Sequence, residues 1–152
     1  MKTKVVIVVG PTAVGKSGFA VRYAIKHNGE VISADSRQVY KGLDIGTGKI
    51  TKEEMKGVRH HLLDVANPKT QFNVEKYKKL AQKAIEDISK GGKLPIICGG
   101  TGFYIDAVIN NISYPDVPHN DSLRKKLEKK NPEALFKILQ KLDRKFTDSL
   151  NN

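Results

Sequence analysis

Gly10-Pro11-Thr12-Ala13-Val14-Gly15-Lys16-Ser17 fits the pattern G-x-x-x-x-G-K-S/T in full. Glycines at these spacings let the backbone curl so that successive N–H groups point inward. With the N-terminus of a following helix they form an anion site. Lys16 adds a point charge for terminal phosphates, and the Ser17 hydroxyl can ligate Mg²⁺ that bridges phosphate oxygens. The competing explanation is a chance glycine turn with an exposed lysine. The flanks argue against it, since a β-branched run (4–9) precedes the loop and a helical pattern (16–27) follows. The motif asks for a phosphate compound, by default a nucleoside triphosphate.

A second constellation is Asp35-Ser36-Arg37-Gln38-Val39-Tyr40, directly after an apolar run at 30–33. Loops at the carboxyl ends of parallel strands face the ligand crevice, which puts Asp35 near the phosphate loop. A carboxylate there can serve as a general base or hold a metal-bound water. Gln38 can make paired hydrogen bonds to adenine, and Tyr40 can stack on a base. The bland alternative is an Asp–Ser turn with Arg37 as a surface charge. Gly99-Gly100-Thr101-Gly102 follows another apolar run at the same edge. Its glycines permit close backbone approach, and the Thr101 hydroxyl can reach a phosphate or leaving-group oxygen; a plain strand-to-helix turn fits equally well. Cys98 ends an apolar strand and reads as a core residue. His60 and His61 lack partners at metal-ligand spacing. One is expected to point into the core and the other to make a polar surface or loop contact.

The elements that position these residues alternate. Strands are expected at 4–9, 30–33, 61–65 and 94–98. The helix at 16–27 carries Phe19, Ala20, Tyr23 and Ala24 on one face, and residues 35–50 form a glycine-bearing loop. Thr51 and Glu54 have capping-box spacing for a short helix stopped by Gly57. The helix at 73–90 places Val74, Tyr77, Ala81, Ala84, Ile85 and Ile88 on one face and ends at Gly91-Gly92. A further helix covers 103–109. This order predicts an α/β fold, a parallel sheet with helices on both sides. After a rigid linker at 114–118, helices at 121–130 and 132–142 follow, the second with Asn131 as cap and Pro132 at its first position. The expected domains are therefore an α/β core, 1–114, and a helical annex, 115–152.

Composition bounds the function. The chain has 152 residues, about one domain's worth. With 39% hydrophobic and 28% charged residues it is neither disordered nor a membrane composition. A single cysteine excludes an intramolecular disulfide framework. The apolar run at 5–9 is far too short to span a bilayer, and the Gly10-Pro11 after it does not suit a secretory signal. A cytoplasmic protein with no membrane partner is expected. Net charge is +11, spread as +6 over 1–60, +2 over 61–114 and +3 over 115–152. That favours a polyanionic partner, nucleic acid above all, although a lysine-rich genome gives the same excess.

Together these residues resemble one family, the tRNA dimethylallyltransferases, also called tRNA isopentenyltransferases. The likeness covers nearly all of residues 4–145. It rests on the phosphate loop, Asp35 to Tyr40, Asp44-Ile45-Gly46-Thr47 with Lys49, His60-His61-Leu62-Leu63-Asp64 with Pro68, and Gly99-Gly100-Thr101-Gly102 with Tyr104. The resemblance implies a P-loop NTPase-like fold. It implies transfer of a dimethylallyl group from dimethylallyl diphosphate to the exocyclic amine of the adenine 3′-adjacent to the tRNA anticodon. The phosphate loop then holds the diphosphate of the donor rather than ATP, with Lys16, Ser17 and Mg²⁺ neutralising the leaving group. Asp35 becomes the base that accepts the amine proton, and Thr101 touches the bridging oxygen and lies close to the tRNA. Asp35, Ser36, Arg37 and Gln38 grip the extruded adenine, and Arg124 contacts tRNA. Residues 115–152 would begin the tRNA-binding insertion.

Family members are about twice as long. Asp143 aligns with an Asp-Pro helix start in which Arg144 replaces the proline, and the sequence stops before the Asn-Asp-x-x-Arg and Arg-Ala-Leu-Glu elements. The chain thus reads as a truncated N-terminal half, monomeric or completed by a separate C-terminal half. Two other functions stay open on the residues alone: a small phosphate-loop kinase using ATP, and a non-catalytic diphosphate- or RNA-binding remnant. The Asp-Ser-Arg-Gln and His-His elements, and the lack of an arginine-rich lid, argue against the kinase.

Overall fold

The computed structural model describes residues 3–114, 117 and 120–150. The chain divides into two compact units, Met1–Tyr114 and Pro115–Asn152. Of the linker expected at 114–118, residues 115, 116 and 118 lie outside the described residues.

The first unit runs β1 (Val6–Val9), α1 (Lys16–Lys26), β2 (Gly29–Ser33), α2 (Lys52–Met55), β3 (His60–His61), α3 (Val74–Lys90), β4 (Leu94–Gly99) and α4 (Gly102–Ile109). The strands form one sheet in the order β1-β4-β2-β3, and every pairing is parallel. Such a sheet must be covered on both faces, and the strand period of two supplies a core to each. On one face Val31, Ile96 and Cys98 pack with Ala20 and Ala24 of α1. On the other, Ile32 and Ile97 pack with Tyr77, Ala81 and Ile88 of α3 and Tyr104 of α4. Ile32, Ile96 and Ile97 are completely buried, each contributing ~1.5–3 kcal/mol of transfer free energy.

The helices follow their sequence signals with one difference in facing. α1 buries Ala20, Val21 and Ala24, whereas Phe19 is 48% exposed and stacks on Tyr23. The reason is the sheet order: β1 is an edge, and Phe19 overlooks a groove of about 780 Å³ along it. α2 opens on a complete Thr51–Glu54 capping box and stops where Lys56 and Gly57 turn left-handed. Asn73 caps α3 by accepting from the Lys76 N–H, and the stripe Tyr77, Ala81, Ala84 and Ile88 is buried. The strand expected at 61–65 is instead His60–His61. Leu62 (φ 63°) and Asp64 (φ 56°) adopt left-handed backbone, which a pleated strand cannot continue.

The second unit contains α5 (Asp121–Glu128), α6 (Pro132–Leu142) and α7 (Arg144–Ser149). α5 ends two residues earlier than its sequence pattern. Asn120, Asn131 and Asp143 cap the three helices through their side-chain oxygens. Asp143 therefore starts α7 without a proline at 144.

Candidate functional site

The loops that leave β1, β2 and β4 at their carboxyl ends enclose a cavity of about 490 Å³. Lys16 and Ser17 from the phosphate loop, Asp35 and Gln38 after β2, and Gly99 and Gly100 at the end of β4 line it. The topology thus brings three separate sequence signals to one place.

The phosphate loop reaches its shape through left-handed backbone at Ala13 (φ 66°) and Gly15 (φ 81°). Gly15 caps α1 without any side-chain hydrogen bond, so the first N–H groups of the helix remain for an anion. The Lys16 ammonium folds back and donates to the carbonyl of Pro11 within the same loop. Ser17 lies one residue into the helix and lines the same cavity.

Asp35 is placed by backbone contact between β2 and β4. Beyond β2, the Ala34 N–H donates to Cys98 O (2.8 Å) and the Thr101 N–H donates to Ala34 O (3.1 Å). The approach is so close that a Cβ on Gly99 would run into the Ala34 carbonyl and sit 2.8 Å from Ala34 Cα. Only glycine fits there. Asp35 Oδ1 accepts from the N–H groups of Arg37 (2.8 Å) and Gln38 (3.3 Å), an Asx-turn. Oδ2 takes no hydrogen bond among the described residues. The Ser36 N–H donates to Thr101 Oγ1 (3.0 Å), which joins the second and third motifs directly. With its oxygen accepting there, the Thr101 hydroxyl keeps its proton to donate.

Gln38 donates Nε2 to two backbone carbonyls, Thr47 (3.3 Å) and Gly48 (3.2 Å). Those carbonyls belong to a loop organised by Lys49, a residue that the family motif includes without a stated role. The Lys49 side chain is 6% exposed and donates to Tyr40 O (2.9 Å), Asp44 Oδ1 (2.7 Å) and Asp64 Oδ1 (2.6 Å). Burial disfavours its charge, but the two carboxylates outweigh burial and hold the ammonium above the usual lysine range. Glu54, expected only as a capping residue, also lines the cavity with Thr47 and Gly48. Spacing alone does not reveal that Lys49 is nearly buried, because its ion pair with Asp64 spans fifteen residues.

Other expectations are adjusted. Tyr40 pairs with Ala66 through its backbone and packs its ring on the core, so it is not a free stacking platform. Cys98 is buried, and burial pushes its thiol up to about 11 despite the nearby Lys16. Neither histidine is fully in the core, while His60 makes a polar loop contact of the kind expected of one of them. Both are partly buried: His60 bonds Val58 O through Nδ1 (2.9 Å), and His61 Nε2 meets Glu30 Oε2 (2.6 Å). Burial lowers the His60 pKa below its ordinary value. Arg37 is exposed beside Asp35. Arg124 lies on α5 of the second unit, where its Nε sits 3.6 Å from Glu128. Among the described residues no helix is long and apolar enough to cross a membrane.

The chain is similar to known proteins of one kind. A tRNA dimethylallyltransferase of Anoxybacillus flavithermus is 50% identical over 143 residues, covering 94% of this chain and 46% of the relative. One from Oceanobacillus iheyensis is 47% identical over 147 residues, with 94% and 47% covered. The crystal structure of a full-length tRNA isopentenylpyrophosphate transferase from Bacillus halodurans superposes with a TM-score of 0.75 at 45% identity, covering 97% of this chain and 50% of that one. A eukaryotic dimethylallyltransferase acting on tRNA gives 0.83 at 34% identity, covering 96% and 37%. The chain therefore spans about half the length of the bacterial relatives it matches. Residues 38–152 match the family described as IPP transferase, and the chain belongs to that family.

Proposed function

We propose that this site transfers a dimethylallyl group from dimethylallyl diphosphate to the exocyclic amine of the adenine 3′-adjacent to a tRNA anticodon. The observation that carries the reading is the single cavity shared by Lys16, Ser17, Asp35 and Gln38, with Thr101, the residue after the lining Gly100, tied to Ser36. In this reading residues 10–17 cradle the donor diphosphate through backbone N–H groups and Lys16. The amine nitrogen attacks the first carbon of the prenyl group, the carbon–oxygen bond breaks, and diphosphate leaves. Asp35 Oδ2 accepts the amine proton, its partner oxygen being held by the Asx-turn. The Thr101 hydroxyl donates to the bridging oxygen as charge develops there. Ser36, Arg37 and Gln38 hold the extruded adenine. Residues 1–114 act as the catalytic core, and Arg124 in 115–152 serves the tRNA.

Membership of the family implies a divalent cation. The donor set suits Mg²⁺: the Ser17 hydroxyl lines the cavity, and among the described residues no cluster of three or more His, Cys, Asp or Glu could hold an ion by itself. Mg²⁺ commonly takes one or two protein oxygens and completes its shell with phosphates and water. Ser17 would hold it, and when bound it supplies charge neutralisation on the diphosphate.

The test is incubation of the chain with Mg²⁺, dimethylallyl diphosphate and an adenine-bearing anticodon stem-loop, followed by mass analysis of the RNA. A prenyl mass that disappears with Asp35→Ala, while the variant still binds diphosphate, is expected. Phosphoryl transfer from ATP would replace this reading with a kinase. Binding of both substrates without product would leave a non-catalytic module.

A further inference from the structure

Gln38 faces two partners, and both are backbone carbonyl oxygens. A carbonyl can only accept, so the amide nitrogen must be the atom turned toward Thr47 and Gly48. The amide oxygen makes no hydrogen bond among the described residues, and Gln38 lines the cavity. The paired amide–adenine match open to a free glutamine is thereby reduced to one acceptor. At 3.3 and 3.2 Å the two bonds to nitrogen are long, so their hold depends on carbonyls that do not move. What keeps them still is Lys49. Its three contacts of 2.6–2.9 Å tie Tyr40, Asp44 and Asp64 together across the loop. The loop adds its own bonds, Lys49 N–H to Asp44 O (3.1 Å) and Gly48 N–H to Ile45 O (3.2 Å).

We propose that Lys49 is a positioning residue for base selection: it braces residues 40–49 so that Thr47 and Gly48 take the Gln38 nitrogen and leave its oxygen to accept from a base bearing an exocyclic amine. This rests on the proposed function and deepens it. The attacking amine has two hydrogens. One is delivered to Asp35, and the other is held by Gln38, which orients the nitrogen before attack. A base without that amine leaves the Gln38 oxygen unpaired in the cavity, and one such loss weakens binding by roughly 5- to 10-fold.

The experiment compares the affinity of the chain for two anticodon stem-loops. One carries adenine at the target position and the other carries purine, which lacks only the amine. Binding of dimethylallyl diphosphate is measured on the same samples. The wild type is expected to prefer adenine by roughly 10-fold, and Lys49→Met to lower that ratio about 5-fold with diphosphate binding intact. In a Gln38→Ala background Lys49→Met should change the ratio no further, because the residue acts through Gln38. Should Lys49→Met not fold, Asp64→Ala removes one of the three contacts and should lower the ratio part of the way. An unchanged ratio in either folded variant overturns the inference. So does a parallel loss of diphosphate affinity, which would make Lys49 a general support of the site. Absence of stem-loop binding by the wild type overturns the proposed function, and this inference with it.

Discussion

Two adjacent glycines at the end of β4 should respond in opposite ways to one added methyl group. A Cβ on Gly99 meets the Ala34 carbonyl carbon and oxygen and lies 2.8 Å from Ala34 Cα, all of it backbone immediately after β2. Overpacking a well-filled interior costs ~1–3 kcal/mol, and a clash against backbone belongs at the upper end. Relief requires Ala34 to move away from β4. That breaks Ala34 N–H to Cys98 O and Thr101 N–H to Ala34 O, at about 1 kcal/mol each. Gly99→Ala should therefore cost ~3–5 kcal/mol out of a typical domain stability of ~5–15 kcal/mol. A Cβ on Gly100 would meet only Gly10 O at 3.7 Å, an ordinary contact, and its backbone is not left-handed. Gly100→Ala should be neutral or stabilising by ~0.4–1 kcal/mol through restriction of the unfolded chain. Urea unfolding followed by circular dichroism measures both. A gap of at least ~3 kcal/mol between the neighbours is expected from the terms above. Equal midpoints, or a less stable Gly100→Ala, would refute the claim that β2 and β4 touch through Gly99.

Two further outcomes rest on buried polar groups. The Glu30 side chain is 8% exposed and pairs with Lys93 (2.7 Å) and His61 (2.6 Å). Burial alone would push its carboxyl up, but the hydrogen bonds with Lys93 and His61 outweigh it and hold it below its ordinary value. Its stabilisation is thus complete above about pH 4.5 and fades as pH falls through the lower folded value. Glu30→Gln should cost ~1–3 kcal/mol at pH 7, with the two urea midpoints converging as pH falls below the ordinary carboxylate range; a constant gap down to acid would contradict this. The Tyr77 hydroxyl is buried with no hydrogen-bond partner among the described residues, while its ring stacks on Tyr104 at 4.0 Å. Tyr77→Phe keeps the stack and removes the orphan, so thermal unfolding should show no loss and a gain of up to ~1 kcal/mol.

What the sequence made legible is what is decided locally. Capping residues, glycine stops and a period of 3.6 placed α2, α3 and α6 nearly to the residue, because the groups that satisfy each helix end lie within four positions of it. The phosphate loop was legible for the same reason. β3 was not: its apolar character at 62–65 reads as strand, and left-handed backbone at Leu62 and Asp64 ends the ladder after two residues. Phe19 was misassigned because its burial would depend on a neighbour beyond β1, and strand order is a non-local fact.

The glycines at 99–102 show the same limit at higher resolution. Their sequence says that close backbone approach is allowed at all three, and only the pairing of β4 with β2 says that Gly99 alone uses it. Lys49 is the extreme case. In sequence it is a charged residue in a polar, glycine-bearing loop, a pattern that ordinarily marks a solvated side chain. Two carboxylates, one fifteen residues away, turn it into a nearly buried ammonium under the cavity wall. Burying a charge is unfavourable unless it is paired, so the pairing itself argues that this loop has one shape rather than many. A loop with one shape can fix which atom of Gln38 meets the substrate, and a mobile loop cannot.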